Sequence, residues 1–311
     1  MNILLLGATG FIGTNLVLSL AKDESNTITV IGKNRTHFLA IEKLKLPNVT
    51  FIESHLTMET DFASLVNNQE VVYHLISTTV PTTSNQHISE ELKENVVLSS
   101  NLFDACVKKE VEKVVFLSSG GTVYGKEASC PLGEETPTNP ISSYGIQKVT
   151  IEKLLYLYNY LYGMDYRIIR LSNPYGPYQR PNGVLGAVTT FTYKALKGEE
   201  ITIYGDGSVV RDFIFIDDAI RGIINIVNGK NNFHTFNLGS GYGTSIRSVL
   251  SEIESTLGIK MDVVYKESRK VDVPTNFLDI SRYESCYGAL NPISLSEGVA
   301  KTAAFLKKEM F

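Results

Sequence analysis

The first thirteen residues constrain the fold most strongly. A short apolar run, Ile3-Leu4-Leu5-Leu6, ends in Gly7-Ala8-Thr9-Gly10-Phe11-Ile12-Gly13, and apolar residues then recur at helical spacing as far as Leu20. This pattern predicts a buried parallel strand, a tight turn and a helix. Glycines at this spacing let the backbone approach a pyrophosphate and let the helix pack closely on the strand. The segment therefore predicts a dinucleotide site formed by Gly7, Thr9, Gly10, Phe11, Ile12 and Gly13.

Strand-like and helix-like segments alternate along the rest of the chain. Strands are predicted at 27–31, 49–52, 71–76, 113–118, 166–171, 201–204 and 213–216, and helices at about 89–109, 144–162, 184–197, 217–228 and 246–257. The alternation predicts an α/β fold, a Rossmann-type doubly wound parallel sheet with a smaller α/β substrate lobe. We expect residues 1–172, with part of 211–238, to form the dinucleotide-binding domain, and residues 173–210 and 239–311 to form the lobe. Residues 173–177 are expected to break the pattern.

The strand at 27–31 leads into an unusual charge pattern. Dinucleotide sites of this type place an acid about 20 residues after the glycine loop, where it holds the adenosine ribose. Here Gly32-Lys33-Asn34-Arg35 has two cations and no acid. Lys33 and Arg35 would attract a 2′-phosphate, which a carboxylate would repel. We therefore expect NADP(H) to be favoured, with NAD possible; the alternative is that both cations are solvated loop charges.

A tyrosine and a lysine stand one helical turn apart in Ser142-Ser143-Tyr144-Gly145-Ile146-Gln147-Lys148. Because residues i and i+4 share a helix face, the Lys148 ammonium is expected to lower the pKa of Tyr144 toward neutrality. Such a hydroxyl can exchange a proton with a carbonyl or alcohol oxygen while a hydride moves at the carbon. Lys148 would also hold the nicotinamide ribose. Ser119 and Thr122 are candidates for the hydroxyl that orients the substrate oxygen.

Composition excludes several other functions. The net charge of -4 offers no basic field for nucleic acid. The three cysteines lack metal-ligand spacing, so we expect no metal site. No apolar run approaches the roughly 20 residues of a membrane span, and the N-terminus does not read as a signal peptide. We therefore expect a cytoplasmic protein.

The glycine loop, Ser118-Ser119, Tyr144-x-x-x-Lys148 and Arg211-Asp212-Phe213 together resemble the extended short-chain dehydrogenase/reductases that act on nucleotide sugars. The resemblance covers essentially the whole chain. It implies a Rossmann domain with a nucleotide-sugar lobe, a nucleotide-sugar substrate, and a homodimer built from two helices per subunit. UDP-glucose 4-epimerases, nucleotide-sugar 4,6-dehydratases and 4-keto-sugar reductases belong to this group.

The resemblance also implies roles at individual positions. Tyr144 would be the acid/base and Lys148 its partner, and Asn95 would support the sheet near the site. Arg211 would grip the substrate diphosphate, and Tyr204 would lie by the nucleotide base. The implied substrate-binding set is Thr79, Ser119, Tyr144, Asn173, Tyr204 and Arg211, and the cofactor set is completed by Leu75, Ser77, Lys33, Arg35 and Lys148. Hydroxyls of residues 77–84 would face the sugar; the alternative is a polar turn.

Three departures from the family pattern narrow the activity. Gly120 stands where epimerases normally have a serine, so either Ser119 or Thr122 supplies the helping hydroxyl or this hydroxyl is missing. Gly120-Gly121-Thr122 lacks the carboxylates that 4,6-dehydratases use to remove water, which argues against that activity. His55 stands where an aspartate often meets the adenine amine, so that contact is in doubt.

The residues support two enzyme functions that share one catalytic site. The first is an NADPH-dependent reductase of the C4 ketone of a nucleotide-linked 4-keto-6-deoxyhexose, such as dTDP-4-dehydro-6-deoxyglucose, for surface polysaccharide. The alternative is a UDP-hexose 4-epimerase with bound NAD. Retention of both Tyr144 and Lys148 argues against a third reading, a dinucleotide-binding protein without catalysis.

Overall fold

The computed structural model describes residues 1–79, 81, 84–181, 186–268 and 273–310. Its strands are β1 (Asn2–Leu6), β2 (Thr27–Gly32), β3 (Val49–Glu53), β4 (Val71–His74), β5 (Lys113–Ser119), β6 (Tyr166–Leu171), β7 (Asn173–Tyr175), β8 (Ile201–Tyr204), β9 (Val210–Arg211), β10 (Phe213–Phe215), β11 (Thr235–Leu238), β12 (Thr244–Ser245), β13 (Val263–Lys266) and β14 (Thr275–Asn276). Its α-helices are α1 (Phe11–Leu20), α2 (Leu39–Glu42), α3 (Phe62–Leu65), α4 (Ile88–Leu92), α5 (Leu98–Lys108), α6 (Ser143–Tyr162), α7 (Ala187–Lys197), α8 (Ile216–Asn228), α9 (Ile246–Leu257), α10 (Ser281–Tyr287) and α11 (Leu295–Met310). A π-helical turn, Lys93–Val97, joins α4 to α5.

One sheet carries the candidate site. Over the described residues it has seven strands in the order β11-β6-β5-β4-β1-β2-β3, and β1 pairs in parallel with both β2 and β4. Strand order therefore reverses at β1, which opens a crevice at the carboxyl ends of β1 and β4 where ligands bind in such sheets. The four residues Ile3 to Leu6 are fully buried, as expected of a strand covered on both faces. The predicted Rossmann-type α/β fold is confirmed.

The helix that carries Tyr144 is anchored in the core beside this sheet. Ile151 and Leu155 of α6 belong to one buried cluster with Phe103 of α5 and with Val114 and Phe116 of β5. Each of these five side chains is at most 2% exposed, and burial of each apolar side chain contributes about 1.5–3 kcal/mol. Packing on this cluster fixes α6 relative to the end of β5.

The chain divides into two compact units whose boundaries differ from the predicted ones. The first contains residues 1–123, 140–170 and 232–236, and the second contains 124–139, 171–231 and 237–311. Residues 124–139 were expected in the first unit, but Leu132 exchanges backbone hydrogen bonds with Phe277 and Asp279. Of the segment 211–238, only 232–236 returns to the first unit. Contacts distant in sequence therefore place residues 124–139 in the second unit.

Within the second unit, short strands surround the predicted substrate residues. β7 pairs in parallel with β10, so the expected break at 173–177 is wrong: Asn173 to Tyr175 form a strand opposite Phe213 to Phe215. β9 lies between β12 and β14. The predicted start of a helix at residue 184 lies outside the described residues, and α7 begins at Ala187.

None of the described helices combines the length and apolar character needed to span a membrane.

Candidate active site

The glycine loop joins β1 to α1 through close backbone contacts. Gly7 has a φ of +78°, a left-handed conformation that favours glycine. A Cβ on Gly13 would lie 2.3 Å from the Cα of Ala8, so α1 can approach β1 only without a side chain there. A Cβ on Gly10, in contrast, would meet nothing within 4 Å. The loop is closed on the side of the strand and open at Gly10, which leaves room for a ligand.

The first turn of α1 presents backbone N–H groups beside this open side. Gly10 is the N-cap and supplies no side-chain hydrogen bond to the helix. The amides at the start of a helix lack intrahelical partners, and the helix dipole adds partial positive charge. Phe11, Ile12 and Gly13 can therefore bind the pyrophosphate of a dinucleotide, as the sequence predicts.

A cavity of about 390 Å³ opens next to the loop in the first unit. It is lined by Gly7, Ile31, Gly32, Lys33, Ser54, His55, Leu56, Thr57, Met58, Glu59, Leu75, Ile76, Ser77, Thr78, Lys93, Glu94 and Leu98. The predicted cofactor residues Gly7, Lys33, Leu75 and Ser77 are thus brought together. The size of the cavity and its place at Gly7, where the glycine loop begins, fit part of a dinucleotide.

Of the two cations predicted to meet a 2′-phosphate, Lys33 lines the cavity and Arg35 does not. The Arg35 guanidinium is ion-paired with Glu42, and its backbone N–H donates to the Glu53 carboxylate at 3.1 Å. Arg35 begins a 3₁₀ turn at residues 35–37, and Glu42 ends the short helix α2 seven residues later. The sequence did not suggest this ion pair. In this arrangement the attraction for phosphate depends on Lys33.

Helix α6, which carries Tyr144 and Lys148, begins at Ser143. Ser142 is its N-cap and accepts a hydrogen bond from the Gly145 N–H at 3.2 Å. A Cβ on Gly145 would lie 2.8 Å from the Thr122 carbonyl oxygen, so glycine lets the first turn approach the loop after β5. The first turn of α6 therefore lies beside Thr122, and the Tyr144 hydroxyl is hydrogen-bonded to Ser119.

The Lys148 ammonium is buried and bonded to the sheet. It donates to the Leu117 carbonyl at 2.8 Å and lies 4.6 Å from the Phe116 ring centroid and 5.5 Å from that of Tyr144. Burial lowers the pKa of Lys148 to about 8, and the charge of Glu152 opposes the shift. Lys148 thus has a pKa close to neutral pH, in keeping with a proton-transfer site.

The pKa of Tyr144 differs from the expected direction. Burial raises it to about 12, and a hydrogen bond from Ser119 opposes this increase. The expectation that Lys148 lowers the pKa of Tyr144 toward neutrality is therefore wrong. The physical reason is desolvation: the phenolate loses more hydration than the neighbouring groups replace.

The surroundings of Ser119 and Thr122, the two candidates for the helping hydroxyl, differ. Ser119 is the last residue of β5, and its side chain bonds to the Tyr144 hydroxyl. The Thr122 hydroxyl oxygen is buried and has no hydrogen-bond partner among the described residues. Of the two candidates, Ser119 is the one in contact with Tyr144.

A buried carboxylate, which we did not predict, lies one turn beyond Lys148. Glu152 is 4% exposed; it accepts hydrogen bonds from Ser118 at 2.5 Å and from the Arg170 guanidinium at 2.7 Å. The sequence signal was present, because Tyr144, Lys148 and Glu152 follow one another at intervals of four residues on one helix face. Glu152 supplies the counter-charge nearest in sequence to Lys148.

The remaining predicted residues fall in two places. In the first unit, Asn95 holds the segment after β4, donating to the Thr78 hydroxyl at 2.8 Å and accepting from its N–H at 2.9 Å. In the second unit, Asn173 donates to the Asp212 carbonyl at 2.9 Å, and Arg211 donates to the Val273 carbonyl at 2.6 Å. Tyr204 ends β8 and is 41% exposed. Val80, Thr82 and Thr83 of the predicted sugar-facing segment lie outside the described residues.

The fold and the site together define a Rossmann-type α/β protein with a glycine loop after β1 and a tyrosine–lysine pair at the start of α6. The family model of the NAD dependent epimerase/dehydratase family matches residues 3–239, so the chain belongs to this family, and the predicted family resemblance is confirmed.

Similar proteins include both predicted activities. A putative UDP-glucose 4-epimerase of Methanocaldococcus jannaschii is 32% identical over 98% of each chain, and a dTDP-4-dehydro-6-deoxyglucose reductase of Escherichia coli is 28% identical over 96% of this chain and 95% of that protein. The crystal structure of the UDP-glucose 4-epimerase of Thermotoga maritima with UDP-glucose is 31% identical, with a TM-score of 0.92 and full coverage of both chains. A UDP-glucuronic acid 4-epimerase of Bacillus cereus, in complex with UDP-glucuronic acid and NAD, is 28% identical, with a TM-score of 0.90 over 99% of each chain.

Replacing Lys148 is expected to increase stability while removing its charge from the site. Its folded-state pKa of about 8 lies below the ordinary 10.5, so the folded protein binds fewer protons than the unfolded chain between these values. The free energy of unfolding therefore rises with pH across that window, and the buried ammonium is destabilising below it. Lys148→Met should be about 1–3 kcal/mol more stable than the wild type at pH 7, with the difference shrinking between pH 8 and 10.5.

Urea unfolding at a series of pH values measures this difference. Lys153→Met is the matched control, because Lys153 lies on the same helix but is exposed. A Lys148→Met protein less stable than the wild type at pH 7 would show that the hydrogen bond to Leu117 outweighs the cost of burial.

Proposed function

We propose that the chain performs oxidation–reduction at C4 of a nucleotide-linked hexose. The observation that carries the proposal is the Tyr144 hydroxyl, which is hydrogen-bonded to Ser119 and has the Lys148 ammonium beside its ring. This arrangement lies in the same unit as the predicted dinucleotide cavity. It matches what proton transfer at a sugar hydroxyl or ketone requires: an acid/base, a second hydroxyl and a nearby cation.

Each side chain has a distinct part in this reaction. The nicotinamide, when bound, supplies or accepts the hydride at C4. Tyr144 exchanges the proton of the C4 oxygen, and Ser119 donates the hydrogen bond that stabilises negative charge on the Tyr144 oxygen. The protonated Lys148 adds positive charge at the same place, which favours the ionised form of Tyr144 when the site is filled.

We propose 4-epimerisation of a UDP-hexose as the net reaction. The support is that relatives named as UDP-glucose 4-epimerases match almost the full chain at 31–32% identity. The reductase, which the sequence placed first, is the second candidate. A specific observation still favours it: Lys33 lines the cavity where an acid would hold the ribose of NAD.

The test is to assay the purified protein with both substrate classes. UDP-glucose, UDP-N-acetylglucosamine and UDP-glucuronic acid are incubated without added cofactor, and dTDP-4-keto-6-deoxyglucose is incubated with NADPH, with products identified by NMR. Interconversion of C4 epimers without net cofactor consumption supports the epimerase; stoichiometric NADPH oxidation supports the reductase.

In either case Tyr144→Phe should lose about 10²–10⁴-fold in kcat and keep cofactor binding, and unchanged turnover would refute the acid/base assignment.

Cofactor preference separates the two candidates further. If Lys33 meets a 2′-phosphate, the wild type should bind NADPH more tightly than NADH, and Lys33→Ala should weaken NADPH binding about 5–30-fold with little effect on NADH. Arg35→Ala is the control, because its side chain is engaged by Glu42. Fluorescence titration measures both affinities. Equal affinities in the wild type would contradict the 2′-phosphate assignment and remove the support for the reductase.

We further propose that the protein is a homodimer through the outer face of α6. Tyr156, Leu157, Tyr160 and Leu161 on this helix are 44–76% exposed, and a cluster of large apolar side chains is typical of an interface. Sedimentation should give the mass of two 34.4 kDa chains, and Tyr160→Glu should shift it to one. A wild-type protein that sediments as a single chain would contradict this proposal.

A further inference from the structure

We propose that Glu91 is a positioning residue that fixes the segment after β4 to the first turns of the catalytic helix, and thereby aligns the sugar with Tyr144. The inference rests on the proposed function, because its consequence is the placement of a nucleotide-sugar. Glu91 lies on α4 and does not line the dinucleotide cavity.

The Glu91 carboxylate connects to α6 through two side chains. Its Oε2 accepts hydrogen bonds from the Ser143 hydroxyl at 2.5 Å and from the Gln147 amide at 3.1 Å. The Gln147 amide also donates to the Ser143 hydroxyl at 2.9 Å, which closes a triangle of polar groups. Glu91, Ser143 and Gln147 are each 2–6% exposed. Hydrogen bonds to a shielded carboxylate are charge-assisted and stronger than neutral ones.

Residues on both sides of the segment between β4 and α4 form hydrogen bonds with α6 or with Glu91. The Ser143 N–H donates to the Asn85 side-chain oxygen at 2.7 Å, and the His87 N–H donates to Glu91 at 3.4 Å. At the other end, the Thr79 hydroxyl donates to Gln147 at 3.4 Å. Thr79 is a predicted sugar contact, so Gln147 links a predicted substrate residue to the carboxylate.

The position of these contacts on the helix explains their effect. Ser143 immediately precedes Tyr144, and Gln147 immediately precedes Lys148. Two bonds one turn apart fix how far α6 is rotated about its axis, because each residue adds 100° of rotation. A small rotation would move the Tyr144 hydroxyl away from C4, and displacements near 1 Å cost large factors in rate.

The carboxylate remains charged under working conditions. The hydrogen bond from Ser143 holds the pKa of Glu91 below its usual range, with further support from backbone N–H groups of residues 85–87, while burial opposes the shift. A negative charge at the first turn of α6 is also favoured by the helix dipole. The triangle is therefore intact at neutral pH.

Hydrogen–deuterium exchange on the whole protein tests the connection independently of catalysis. Glu91→Gln keeps the shape of the side chain but removes its charge, so amide exchange should become faster in residues 84–92 and also in 143–148. Glu90→Gln, a change of the exposed neighbouring acid, is the matched control and should alter neither segment. Exchange that becomes faster in 84–92 alone would refute the connection to α6.

Steady-state kinetics with the nucleotide-sugar found to be turned over distinguishes positioning from general stability. For Glu91→Gln and for Ser143→Ala we expect kcat/KM to fall about five- to fiftyfold, with the affinity for the dinucleotide unchanged. The double variant should be close to the worse single variant, because both changes break one network. A fall in dinucleotide affinity of the same size, or unchanged kcat/KM, would overturn the positioning role. If the wild type converts no nucleotide-sugar, the proposed function fails, and exchange alone decides the connection.

Discussion

The hydrogen bond from Lys148 to the Leu117 carbonyl is the interaction on which the site depends. It ties the catalytic helix to the end of β5 at 2.8 Å, the strand that also ends in Ser119. An ammonium is costly to bury, and here the cation is accommodated by a carbonyl, by the face of Phe116 and by the charge of Glu152. This hydrogen bond holds β5, α6 and the Lys148 charge in one arrangement. In that arrangement Ser119, at the end of β5, is hydrogen-bonded to the Tyr144 hydroxyl.

The high pKa of Tyr144 follows from the same burial. A site that excludes water makes each charge interaction stronger but makes the phenolate itself harder to form. The hydrogen bond with Ser119 counteracts only part of that cost. A proton-transfer group that is protonated at rest and flanked by a donor and a cation is suited to respond to charge that develops on the substrate oxygen.

Local patterns in the sequence predicted the parts of the fold and site that depend on neighbouring residues. The glycine loop, the alternating elements of the sheet and the Tyr144–Lys148 spacing are of this kind, and the sheet contains the first six predicted strands. The ion pair of Arg35, the place of residues 124–139 in the second unit and the strand β11 were not predicted. Nor were the contacts of Glu91, which join residues 52 and 56 positions apart. Spacing along the chain carries no signal for such contacts, because the folded backbone brings the partners together.

Helix α6 combines buried polar residues with exposed apolar ones, in addition to the apolar side chains that it packs into the core. Toward its N-terminus the buried side includes Ser143, Gln147, Lys148 and Glu152, all of them polar, whereas Tyr156, Leu157 and Tyr160 are exposed farther along. Buried polar groups specify one arrangement when each has a partner, and here Glu91, Leu117 and Arg170 provide the partners. An exposed apolar face on the same helix gains stability when a second chain covers it. If the proposed dimer forms through the outer face of α6, the second chain covers the same helix that carries Tyr144 at its start. Assembly would then bear directly on the placement of Tyr144.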